Sequence, residues 1–97
     1  MKITVTENAI KKLKGETLKK ENVGFRIMIR GIGWGGPVFE IVQAEQYEND
    51  YIEIIEGIKF LVSQDFIEKF GGFDVEYSNF ILTRGFYIRA LRYGSKC

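Results

Sequence analysis

Histidine is absent from the 97 residues, and cysteine occurs once, at Cys97. The first absence removes the commonest general base and the commonest metal ligand together. The second rules out an internal disulfide and suits a reducing compartment. Nucleophilic catalysis would then need a Ser–Lys or carboxylate arrangement, and no such pair stands at motif spacing. Long apolar runs are missing as well: none approaches the ~18 residues that span a bilayer. The start, Met1-Lys2-Ile3-Thr4, turns polar without the apolar stretch of a signal peptide. A cytoplasmic protein that is not an enzyme and has no membrane partner is the expectation.

What is present is an ordinary globular composition, 45% apolar and 28% charged, on a chain long enough for one modest core. One domain over residues 1–97 is expected. The net charge of +1 hides a block structure. Residues 1–30 carry eight Lys/Arg against three Asp/Glu, residues 31–78 two against ten, and residues 79–97 four against none. Such blocks can mark a nucleic-acid surface. Here no basic cluster interleaves with aromatics as a stacking platform would, so the expectation is segments that neutralise one another in the fold, without nucleic acid.

Lys2–Val5 alternates like a short strand. Thr6 can cap a helix whose first turn holds Glu7 and whose buried stripe is Ala9, Ile10 and Leu13, ending between Gly15 and Lys20. Val23–Arg30 alternates Phe25, Ile27 and Ile29 with Arg26, Met28 and Arg30, the pattern of a half-buried strand. Val38–Ala44 is strand-like, and Tyr51–Ile55 with Ile58–Val62 reads as a hairpin turning at Glu56-Gly57. Ser63 caps a short helix that stops at Gly71-Gly72. Phe73–Tyr77, Phe80–Thr83 and Gly85–Leu91 complete seven or eight strands, and residues 92–97 are expected to be mobile. The chain is too short for helical crossovers between so many strands. A mainly β fold with two short helices (α+β), an antiparallel sandwich or distorted barrel, follows. Phe25, Phe39, Phe60, Phe73, Phe80 and Phe86 are its expected core.

Between the second and third strands lies Arg30-Gly31-Ile32-Gly33-Trp34-Gly35-Gly36-Pro37. It holds four of the eleven glycines, the only proline and the only tryptophan. Glycine serves where a backbone takes positive φ or must come close to something else. A phosphate cradle is excluded by context, since Pro37 and a strand follow where a helix N-terminus is needed. Carboxylate pairs such as Glu53/Glu56 and Asp74/Glu76 fall on what should be exposed strand faces.

Taken together, these segments resemble the HesB-like family, the A-type carriers and scaffolds of iron–sulfur cluster biogenesis. The resemblance runs from Ile3-Thr4-Val5-Thr6 through Phe25-Arg26-Ile27, the glycine stretch and Gly57-Ile58-Lys59-Phe60-Leu61-Val62 to Phe73-Asp74-Val75-Glu76-Tyr77 and Gly85-Phe86-Tyr87-Ile88. It implies a compact HesB-like β-sandwich, iron or an iron–sulfur cluster as the group bound in relatives, a homo-oligomer (dimer or tetramer), and iron–sulfur assembly proteins as partners. In one HesB-like subgroup the loop reads Gly-x-Gly-Cys-Gly-Gly-Pro, matched here at Gly31, Gly33, Gly35, Gly36 and Pro37 with Trp34 in place of the cysteine, which is selenocysteine in some relatives. The family's terminal Cys-Gly-Cys is reduced here to Cys97.

The resemblance thus implies metal positions at Trp34 and Cys97, of which this chain supplies a thiol only at Cys97. A cluster is ordinarily held by about four thiolates, with histidine replacing some in certain centres, whereas the chain has one thiol and no imidazole. An indole N–H is a donor only. No cofactor is therefore expected on the chain as written. Three readings stay open: a HesB-like protein that has lost cluster binding, an interaction or regulatory module with Trp34 as contact residue, and a Trp34 that stands for a natural cysteine or selenocysteine, one base away in the codon UGG.

Overall fold

In the computed structural model, which describes residues 2–16, 23–82 and 84–92, the helix caps expected from the sequence are in place. The Thr6 hydroxyl accepts from the Ala9 N–H at 3.4 Å and starts α1 (Glu7–Lys14). The Ser63 hydroxyl accepts from the Phe66 N–H at 3.3 Å and starts α2 (Gln64–Phe70), which Gly71 ends in a left-handed conformation. Helix α1 stops at the earliest expected point, with Gly15 as its cap.

The strands are β1 (Ile3–Val5), β2 (Val23–Gly33), β3 (Gly36–Glu45), β4 (Asp50–Ile55), β5 (Ile58–Ser63), β6 (Phe73–Ser78) and β7 (Gly85–Ala90). They form a three-stranded sheet in the order β1-β6-β7 and a four-stranded sheet in the order β3-β2-β5-β4. The fold is mainly β with two helices, and the sheets do not close into a barrel. Pairing is antiparallel except for two short parallel contacts, β1 with β6 and β2 with β5. Both parallel pairs join segments far apart in the chain, which hydrophobic alternation cannot foresee.

The core fills the space between the sheets and under both helices, with Ile3, Phe60, Phe70, Phe73 and Val75 fully buried. Phe39 of β3 makes edge contacts with Phe70 and Phe73, each at 5.2 Å between ring centroids, tying the two sheets and α2 together at one end. The charge blocks neutralise as expected. Lys14 meets Glu56 at 3.7 Å, Arg26 meets Asp50 at 2.6 Å and Arg89 meets Asp74 at 2.7 Å, each pair joining a basic stretch to the acidic middle.

Four expectations need correction. Of the expected strand Phe80–Thr83, the described residues 80–82 form none: the Ser78 hydroxyl accepts from the Phe80 N–H, turning the chain, and β6 and β7 stop pairing at Ser78 and Gly85. Phe80 is consequently 78% exposed rather than core, while Thr83 lies outside the described residues. Arg26, read as outward and solvated, is buried and paired. Glu53, read as surface, is half-buried, and its Oε1 accepts from the Lys2 and Ile3 N–H groups and the Tyr51 hydroxyl. Arg92, assigned to a mobile tail, donates its backbone N–H to Phe70 O at 2.6 Å and its guanidinium to Glu68 O, where a cation suits the helix C-terminus.

Gly72 is where the first strand, the second helix and the end of β7 meet. Its φ is +130°, and a Cβ there would sit 2.2 Å from the Lys2 carbonyl oxygen and 2.9 Å from Leu91 Cδ1. That same Lys2 oxygen accepts the Phe73 N–H at 2.8 Å. Gly72→Ala is expected to cost about 3 kcal/mol through backbone strain and a lost sheet contact, measured as a lower urea midpoint. A loss below about 1 kcal/mol, the level of an average substitution, would contradict it.

Candidate functional site at the glycine hairpin

The glycine stretch is a ribbon, not an open loop. Strand β2 continues through Gly33 and β3 begins at Gly36, so only Trp34 and Gly35 turn. Gly36 takes φ +111°, a conformation that L side chains rarely adopt. Ile32 pairs opposite Pro37, and Gly33 opposite Gly36. Gly33 is held close, since an added Cβ would lie 3.2 Å from Val38 Cγ2. At Gly31 and Gly35 an added Cβ would meet nothing within 4 Å. Two of the four glycines are therefore not demanded by steric crowding, and they leave those points of the ribbon without side chains.

Trp34 sits at the tip, 107% exposed, with Ile32 at 76% beside it. The register slips between Ile29 and Gly31, which leaves Arg30 as a bulge residue. A bulge re-aims its side chain. Here Arg30 lines an open groove of about 670 Å³ between the outer edges of β3 and β7. One wall is built from the ribbon, with Arg30 of β2 and Pro37 and Glu40 of β3; the other, from β6 and β7, has Glu76, Phe86 and Arg89. Asp74 also lines the groove. The Thr4 hydroxyl at 2.7 Å, and then Arg89, hold its carboxyl below the usual carboxylate value. Sequence reasoning missed this groove because its walls come from strands that are not neighbours in the chain. It could have flagged Arg30, a charged residue set against the glycine run, as the bulge.

Of the expected site residues, Gly31, Gly33, Trp34, Gly35, Gly36 and Pro37 are together on one ribbon, and Cys97 lies outside the described residues. Among the described residues no three His, Cys, Asp or Glu side chains converge as a metal site. None of the described helices is long and apolar enough to cross a membrane.

No family model matches the chain, and no curated protein matches it in sequence. Solved structures do. The crystal structure of IscA with its 2Fe–2S cluster superposes with a TM-score of 0.72 at 18% identity, covering 98% of this chain and 88% of that one. Escherichia coli SufA, involved in biosynthesis of iron–sulfur clusters, gives 0.75 at 18% identity over 98% and 85%. A protein from Aquifex aeolicus solved in solution by NMR gives 0.66 at 22% identity over 91% and 90%. At these identities the fold is what is shared.

Proposed function

We propose that this chain is a HesB-like relative of the A-type iron–sulfur assembly proteins that does not ligate a cluster with its own side chains as written. The fold shared with IscA and SufA supports the lineage. The observation that carries the loss is Trp34. It occupies the tip of the glycine ribbon, where the resemblance puts a thiolate, and an indole offers iron no lone pair. One cysteine and no histidine do not make up the donor set of a typical cluster, even counted over two copies. The residues present do not fit the group. In this reading the chain is not an enzyme; it keeps the scaffold of a carrier whose cargo would be the cluster.

The test is anaerobic incubation with iron and sulfide. The chain as it stands is expected to show no thiolate-to-iron charge-transfer absorption and no stoichiometric iron. A loaded cluster with at least one iron per chain would overturn the reading.

A further inference from the structure

We propose that two copies of this chain pair by exchanging hairpin tips, each Trp34 seating in the groove beside the other's hairpin. The inference rests on the shape of the ribbon and does not depend on the iron–sulfur reading.

The knob and the hole belong to the same ribbon. Trp34 and Ile32 project at its tip, while Arg30 and Glu40, farther from the turn, line one wall of the groove. When the knob and its receptor lie a few residues apart on one element, a two-fold axis between two antiparallel ribbons closes both contacts at once. About 670 Å³ is within the range of ligand-sized clefts, roughly 300–1,000 Å³, and accommodates an indole.

The chemistry matches on both sides. An indole has one N–H to donate and accepts nothing, and the groove holds the carboxylates of Glu40 and Glu76 as acceptors. The aromatic face finds the half-buried Phe86 in one wall. The glycines at Gly31 and Gly35, which steric crowding does not demand, let a second ribbon approach without side chains in the way. A fully exposed tryptophan beside an exposed isoleucine is the composition of an interface anchor.

Trp34 is the only tryptophan, so its fluorescence reports its own burial. In reducing buffer, which prevents Cys97 cross-links, sedimentation should show the mass doubling with concentration while the emission moves to the blue in step. Trp34→Ser and Glu76→Arg, each checked for an unchanged circular dichroism spectrum, should weaken pairing at least tenfold. Mixing the two variants should restore the blue shift at high concentration, because the tip of the Glu76→Arg copy meets the intact groove of the Trp34→Ser copy. The proposal is overturned by pairing with unchanged Trp34 emission, by undiminished pairing of Trp34→Ser, by a monomer at every concentration, or by a mixture that stays red-shifted. A blue shift that needs phosphatidylglycerol vesicles would equally overturn it, making the tip a membrane anchor instead.

Discussion

Anaerobic loading with iron and sulfide is expected to succeed with Trp34→Cys and to fail with the parent. The substitution adds a second thiol to that of Cys97, so a pair of chains offers the four that typically hold a 2Fe–2S centre. Anaerobic loading should then produce charge-transfer absorption with about two irons per pair of chains, against none for the parent. The variant also lacks the indole, so its pairing should depend on iron, with the unloaded form monomeric by sedimentation. A colourless Trp34→Cys would remove the cluster-carrier lineage as an account of this chain, whereas a monomeric parent would remove only the tip exchange. The genomic codon bears on the same position. A UGG with no recoding element downstream makes Trp34 the native residue and the loss of the ligand an inherited one.

The second large effect is on stability. Asp50→Ala is expected to cost about 3–5 kcal/mol, a large part of the ~5–15 kcal/mol that holds a small domain folded. Arg26 and Asp50 form a two-pronged pair at 2.8 and 2.6 Å, with the carboxylate side chain 2% exposed. The same guanidinium donates to Glu45 O at 2.9 Å and lies 4.6 Å from the Tyr47 ring centroid, while the Tyr47 N–H donates to Asp50 Oδ2. Removing the carboxylate strands a buried cation whose other partners are neutral. The hydrogen bonds from Arg26 hold the Asp50 carboxyl below its usual value. A lowered folded-state value stabilises the fold above the unfolded value of about 3.9, and that contribution is lost as pH falls through the folded value. Unfolding free energy measured from pH 7 to pH 2 should therefore decline in acid for the parent. Asp50→Asn should be less stable at pH 7 and flatter below pH 4. Equal acid limbs in both proteins would show that the pair does not govern acid stability.

Part of this molecule can be read without its structure because the signals are local. Thr6 and Ser63 cap helices through hydroxyls that reach only three residues ahead, and Glu56-Gly57 turns a hairpin within its own neighbourhood. The glycine run is legible as a shaped element because glycine and proline act on their own φ angles. Alternation misplaces Arg26 because it assigns a face, and a face is solvated only if nothing covers it; the segment that carries Tyr47 and Asp50 covers this one. Phe80 is misplaced for the opposite reason. An apolar residue counts as core in a pattern, but Ser78 turns the chain away before Phe80 reaches the sheet.

By itself the sequence determined what chemistry is missing: with one thiol and no imidazole, the donor count needs no coordinates. It also determined the helix caps and the positions of most strands, which follow from side-chain spacing and backbone preference over a few residues. Only the tertiary structure decided that β1 pairs with β6 and β2 with β5, that the glycine stretch is a two-stranded ribbon lifting Trp34 into solvent, and that a bulge turns Arg30 into a groove walled by β3 and β7. The reason is range. The parallel pairings and the groove join segments far apart in the chain, whose partners are chosen by burial of the whole core, a free energy that no single stretch of the chain carries.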